Sequence, residues 1–222
     1  MDGRDFAHAL QFRSAHWPTD LTYCTCGFSF ATANDTHNNI SNYSHLLTCR
    51  DNTYTYIGRH EEIVSSLICL LTRYGFATKW EPRDCHGEED EKRPDVTIFT
   101  PKICPVIDVS VVTNTCQSYY KMTDPAAHIV SQKDNKHREN VEKIANFKFY
   151  AIVTETSGRC HGHIDGLARY LQQFVDTPLR AVFRKELACT LSTSSMRGTA
   201  RIIGHAMDRL RTSKIFGHPK CF

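Results

Sequence analysis

Apolar residues recur along this chain in two alternating periods. From about 59 to 74, Ile63, Val64, Leu67, Ile68, Leu71 and Tyr74 fall at i, i+3, i+4 spacing, and Gly75 follows them. That pattern predicts an amphipathic helix closed by a glycine cap. A strand is predicted at Ala77–Trp80. Next, Asp95-Val-Thr-Ile-Phe99 and Val106-Ile-Asp-Val-Ser-Val-Val112 read as two strands, and Thr100-Pro-Lys-Ile-Cys-Pro105 between them carries turn chemistry. Asp124-Pro125 is a cap and first-turn pair for a helix reaching about Asn146. Phe147–Thr154 alternates as a strand, and Ser157-Gly158 breaks it. Further helices are predicted at about 163–175 and 184–212, with a short amphipathic one over 5–15. The order helix, strand, hairpin, helix, strand, helices predicts an α/β fold with a mixed central sheet flanked by helices.

The stretch from 20 to 50 follows neither period. It is rich in Asn, Thr and Ser, too polar to make a core by itself. It holds Cys24-Thr-Cys26 and His45-Leu-Leu-Thr-Cys49, two short ligand pairs separated by residues 27–44. Three thiolates and one imidazole satisfy tetrahedral Zn²⁺, and such a staple would hold a polar segment in shape. His37 competes with His45 for the third position, and two unrelated thiol pairs are the plainer alternative. The chain is therefore divided into a zinc-stapled segment, 1–58, and an α/β domain, 59–222. Cys160-His-Gly-His163 resembles half a metal site, but its one candidate second half is the distant Cys85-His86, so a plain loop is expected.

Composition narrows the class. A chain of 222 residues with 41% hydrophobic and 23% charged residues is globular and can bury a sizeable core. A net charge of +3 permits nucleic-acid binding without arguing for it. No run approaches the roughly 20 apolar residues that span a membrane, and Met-Asp-Gly-Arg-Asp does not resemble a signal peptide. Most of the ten cysteines, among them Cys69, Cys104, Cys116 and Cys189, lie in apolar patterns and read as buried thiols rather than a disulfide scaffold.

The candidate chemistry lies in the hairpin. Antiparallel pairing would bring Asp95 and Asp108 together, and two converging acids suit a hard cation such as Mg²⁺. A charged Asp in so apolar a strand is costly unless paired or metal-bound. The alternative is that Asp95 caps the turn and Asp108 ion-pairs with a neighbour. On the next helix, Ala126, Ile129, Val130, Lys133, His137, Val141 and Ile144 share one stripe, which turns Lys133 inward. Lys136 is the nearest other cation. Glu61 and Glu62 read as acids favoured by a helix dipole, and His60 as a packed core histidine.

Together these features resemble the restriction-like endonuclease domain of early-branching, site-specific non-LTR retrotransposons. The segments that carry the likeness run in the family's order over nearly the whole chain. They are Ala9-Leu-Gln-Phe-Arg-Ser-Ala-His-Trp-Pro-Thr19, the Cys-Cys-His-Cys set, Arg59-His60 with its apolar helix, and Arg93-Pro-Asp95 with Asp108. Asp124-Pro-Ala-Ala with Lys133-x-x-Lys136-His137, and then Phe149–Gly158, complete them. The resemblance implies a restriction-endonuclease-like core and nicking of target DNA, the freed 3′-hydroxyl priming reverse transcription. It implies Mg²⁺ on Asp95 and Asp108, a catalytic cation from Lys133 or Lys136 where the wider superfamily's strand lysine is replaced by Ser110, and structural Zn²⁺. It also implies DNA contacts from Arg59, Lys136 and His137, a nuclear location, element RNA as a further partner, and a dimer as a possible form. The chain carries no Tyr-x-Asp-Asp reverse transcriptase signature, so it reads as a standalone endonuclease part. A non-catalytic zinc-containing DNA- or RNA-binding module derived from such an element is the alternative.

Overall fold

The computed structural model describes residues 21–30, 36–82, 93–113, 119 and 122–216. The helix expected over 5–15, the segment Ala9–Thr19, Cys116 and the loop around Cys85-His86 lie outside the described residues. Those residues fall into two compact units. One is drawn from Met1–Arg59, Thr115–Lys121 and Met196–Phe222, the other from His60–Asn114 and Met122–Ser195.

The second unit is a mixed five-stranded sheet in the order β1-β2-β3-β4-β5. Its strands are β1 (Ala77–Trp80), β2 (Val96–Phe99), β3 (Cys104–Val112), β4 (Phe147–Glu155) and β5 (Cys160–Gly162). Successive pairs are antiparallel except β3 and β4, which run parallel. A parallel neighbour demands a crossover. Here it is α3 (Pro125–Lys133), a π-helical turn (Asp134–Arg138) and α4 (Glu139–Glu142). Asp124 caps α3, its side chain accepting from the Ala127 amide at 2.9 Å, and Pro125 begins the helix.

Two helices come earlier in the chain, α1 (Thr36–Leu46) and α2 (Thr53–Arg73), and two later, α5 (Ile164–Leu171) and α6 (Arg180–Phe216). Helix α2 starts six residues before the expected 59, through Thr-Tyr-Thr-Tyr, whose types favour strands. A 3₁₀ turn at Arg50–Asn52 starts it, with the Thr55 hydroxyl donating to the Asn52 carbonyl. Its far end follows the expected glycine cap. Gly75 takes φ +83°, its amide donates to Thr72 and the Phe76 amide donates to Leu71, a Schellman pair.

Strand alternation divides the sheet's two faces. Ile107, Val109, Tyr150 and Ile152 pack with Ile63, Val64, Leu67 and Leu71 of α2, Leu167 and Leu171 of α5, and Phe183, Leu187 and Leu191 of α6. Each such side chain contributes about 1.5–3 kcal/mol on burial. On the other face Val106, Phe149 and Ala151 meet Val141 of α4. Asp108, two residues from Val106, belongs to that face.

The first unit gives the polar stretch a core it could not make alone. Leu21, Phe30, Tyr43, Leu46 and Leu47 pack with Ile202, Ile203, Ala206, Met207 and Leu210 of α6. Some expectations fail. Cys69 and Cys189 are exposed, because each falls on the helix side opposite the buried stripe. Residues 160–162, expected as a plain loop, form β5 against β4.

Gly162 shows how closely β5 is fitted. It takes φ +82°, and an added Cβ would stand 2.5 Å from the Ala151 carbonyl oxygen. Gly162→Ala is expected to cost about 2 kcal/mol or more, read as a lower urea midpoint at unchanged slope.

Candidate functional site

Two clusters of chemically active side chains emerge. In the first unit, residues 22–30 fold back as a hairpin. Tyr23 bridges Ser29, the Cys24 amide donates to Phe28, and Gly27 turns the chain at φ +91°. A glycine suits that turn because side chains strain there. The hairpin presents Cys24 and Cys26 to His45 on α1 and to Cys49 beyond it. The four ligand atoms lie within 4.8 Å of one another. Cys24 Sγ is 3.7 Å from Cys49 Sγ, and Cys26 Sγ is 3.3 Å from His45 Nε2. Tetrahedral zinc with bonds near 2.3 Å to sulfur separates its ligands by roughly 3.8 Å. The set could hold a metal ion and suits zinc, with His45 as the imidazole ligand. His37 falls on α1, and its side chain lies outside the described residues.

The surroundings fix these ligands. Phe28 stacks on the His45 ring at 3.9 Å, and the Tyr56 hydroxyl donates to the Cys49 carbonyl at 2.6 Å. Arg209 of α6 donates to the Asp51 carbonyl and to Asn52 Oδ1 at 2.9 and 3.0 Å. Burial pushes the Cys49 thiol up to about 12 and raises that of Cys24, so metal-free thiols stay protonated. Metal must displace those protons, so acid favours its release. Purified protein is expected to carry about one zinc per chain, and Cys49→Ser to lose it, read by elemental analysis.

The second cluster lies in the sheet unit. The β2–β3 register pairs Val96 with Ile107 and Thr97 with Val106, and the Asp95 amide donates to Ile107 at 2.9 Å. Asp95 therefore stands across from Asp108, as the hairpin predicted. Asp95 Oδ2 accepts from the Val109 amide at 2.5 Å and lies 3.2 Å from His60 Nε2. Asp108 is buried, 4% exposed. Lys133 Nζ reaches its Oδ2 at 2.6 Å, and His137 Nε2 stands 3.7 Å from Oδ1. The helical stripe thus turned Lys133 toward this carboxylate.

Burial, and next the Asp95 charge, raise the Asp108 pKa, and the opposing pull of Lys133 and Lys136 is smaller. His60 is raised chiefly by its hydrogen bond with Asp95, against burial. Among the described residues, the Cys/His set is the one cluster of three or more His, Cys, Asp or Glu ligands close enough to share a metal. The acid pair by itself offers fewer, and magnesium there has no such support.

Other expected site residues lie elsewhere. Arg59 is buried beneath Gly198, where an added Cβ would stand 2.4 Å from its Cγ, and it donates to Thr199 at 3.4 Å. Burial lowers its pKa to about 10. His137 is fully buried against the Phe149 ring at 5.5 Å. Both side chains are thus enclosed, whereas a phosphate contact calls for an exposed one. Lys136 is exposed, as a phosphate contact requires, and Ser110 is half-buried. Glu61 is exposed at the surface of α2. His60 is the residue that sequence reasoning missed. Its place on an apolar helix face signalled packing, whereas its ring meets a carboxylate.

No protein-family model and no curated protein matches this sequence.

The Asp108 shift makes a stability prediction. A carboxyl raised in the folded state contributes stability below its unfolded value, about 3.9, and loses it as pH climbs through the raised native value. Asp108→Asn is expected to raise the neutral-pH melting temperature by about 2–4 °C and to flatten its decline with pH. His60, whose raised value also loses stability as pH rises, adds to the same decline.

Proposed function

We propose that this chain is a metal-dependent DNA endonuclease of the restriction-like type, which nicks target DNA so that a non-LTR retrotransposon can prime reverse transcription. The carrying observation is the cross-strand position of Asp95 and Asp108 with Lys133 from the crossover helix 2.6 Å from the buried acid. An antiparallel β1–β3 set followed by a helical crossover to parallel β4 supports a restriction-endonuclease-like core. The Cys/His set near the front supports the same family order.

On this reading Asp95 and Asp108 would hold the divalent cation, with water and substrate phosphate completing its shell, as Mg²⁺ prefers. A bound cation would activate water and polarise the phosphoryl oxygen. Lys133, part-exposed on a flexible stem, offsets the Asp108 charge in the resting site and can turn to charge developing on phosphate. Exposed Lys136 is the nearest phosphate contact. A groove of about 720 Å³, lined by Arg138, Lys148, Arg169, Tyr150 and Tyr170, suits a strand's phosphates and bases. Target DNA is the primary partner, with element RNA second, a nuclear site of action, and a dimer where both strands are cut.

One observation favours a second reading, a non-catalytic zinc-containing DNA- or RNA-binding module. Both acids already have basic neighbours, Lys133 and His60. Supercoiled plasmid with Mg²⁺ or Mn²⁺ separates the two. Wild type is expected to relax it, Asp108→Ala to be inactive, and Lys133→Met to nick about 100-fold more slowly. Equal relaxation by Asp108→Ala, or none by wild type, would leave the binding module, whose affinity should fall steeply with salt.

A further inference from the structure

A second groove of the sheet unit, about 470 Å³ in volume, lies between α5 and the first turns of α6. Buried Ala168 and Leu187 lie at its base, and Ala181, Arg184, Lys185 and Ala188 form its α6 wall. Those four wall residues are exposed. Beside them in the chain, Leu179 and Val182 are 44% and 46% exposed, so apolar surface continues past the groove. The charge around it is uncompensated. Among the described residues Arg184 and Lys185 have no ion-pair partner. The nearest acid of α6, Glu186, is turned the other way, accepting from Arg73 at 2.6 Å and Tyr74 at 2.8 Å. The first turn of α6 holds no acid and begins with Arg180, so the helix dipole adds to this positive potential.

We infer that this groove docks a helix of another protein, one whose apolar stripe is flanked by Asp and Glu. The alanines at 168, 181 and 188 leave room for a helix to approach at the 8–10 Å typical of packed helices. Ala181 to Ala188 spans two turns, roughly 10 Å, which matches apolar anchors at i, i+3 or i+4, and i+7. Acids beside that stripe would meet Arg184 and Lys185, which fixes the partner's register and sign. A nucleic-acid strand fits less well. Among the described residues no aromatic side chain lines the groove for a base to stack on, and Asp165 on the α5 side repels phosphate. The inference depends neither on the nuclease reading nor on the zinc-like cluster.

The test uses the full chain and a fluorescein-labelled helical peptide of about five turns, with Leu at the anchor positions and Glu on both flanks. Anisotropy is expected to give a Kd of about 10–100 µM at physiological salt, weakening as salt is raised. The same peptide with Lys in place of Glu should bind at least tenfold less well. Arg184→Glu with Lys185→Glu, and separately Ala181→Trp, which fills the groove, should each weaken the acidic peptide at least tenfold. All three positions are exposed, so melting temperatures should hold within a few degrees and exclude unfolding as the cause. No binding of the acidic peptide, equal binding of the Lys peptide, or affinity unchanged in both variants overturns the inference. Phosphatidylserine vesicles or a single-stranded oligonucleotide bound in its place, and lost on Ala181→Trp, would overturn it too, by assigning the groove to a different occupant.

Discussion

A carboxylate buried in the middle of an apolar strand is the constraint around which the sheet unit is arranged. Asp108 lies between Ile107 and Val109, both buried, and shares its own face with Val106. An isolated charge there would cost many kcal/mol. The chain offsets that cost with the crossover helix, which must in any case cover this face because β3 and β4 run parallel. Lys133 and His137, four residues apart on that segment, both approach the acid. The π-helical turn begins between them, at Asp134, and wide turns of that kind are frequent at functional positions. Topology and electrostatics meet in one segment: the element that makes the parallel pair possible also carries the cation.

That half of the site was legible because periodicity encodes it. A period of two placed Asp108 on a definite strand face, and a period of 3.6 placed Lys133 on the inward stripe. The strands β1 to β4 followed from the same alternation. What escaped was information that no period carries. His60 fits an apolar stripe as well as Ile63 does, and the stripe cannot tell a ring packed in hydrocarbon from one facing Asp95. Arg59 and His137 were assigned to DNA because they neighbour recognisable motifs, but adjacency to a motif says nothing about exposure. Both side chains are buried.

The zinc-like cluster shows a different limit. Its four ligands were legible from residue type, while the choice between His37 and His45 needed geometry. Spacing alone admits either, whereas a ring stacked on Phe28 with its Nε2 3.3 Å from Cys26 Sγ admits His45. The core beneath the cluster was less legible still. Its apolar partners come from residues 202–210, more than 150 positions along the chain. From the same helix, α6, the Arg209 guanidinium ties down the 51–52 backbone and side chain beside the ligands.

The energetics of Asp108 bear on what the site is for. Burying an ion pair is close to break-even against burying well-packed hydrocarbon, so stability alone gives β3 no reason to carry one. The pair is also asymmetric. The acid is 5% exposed and fixed by the sheet, whereas the lysine is 25% exposed on a long stem. Removing the lysine's charge from such a site leaves a buried anion, which any cation of suitable size can then neutralise. On the nuclease reading, exchange between Lys133 and an incoming divalent ion would keep the acid neutralised while freeing the lysine to meet phosphate. The buried acid facing a part-exposed lysine on a long stem is thus the feature on which the nuclease reading rests.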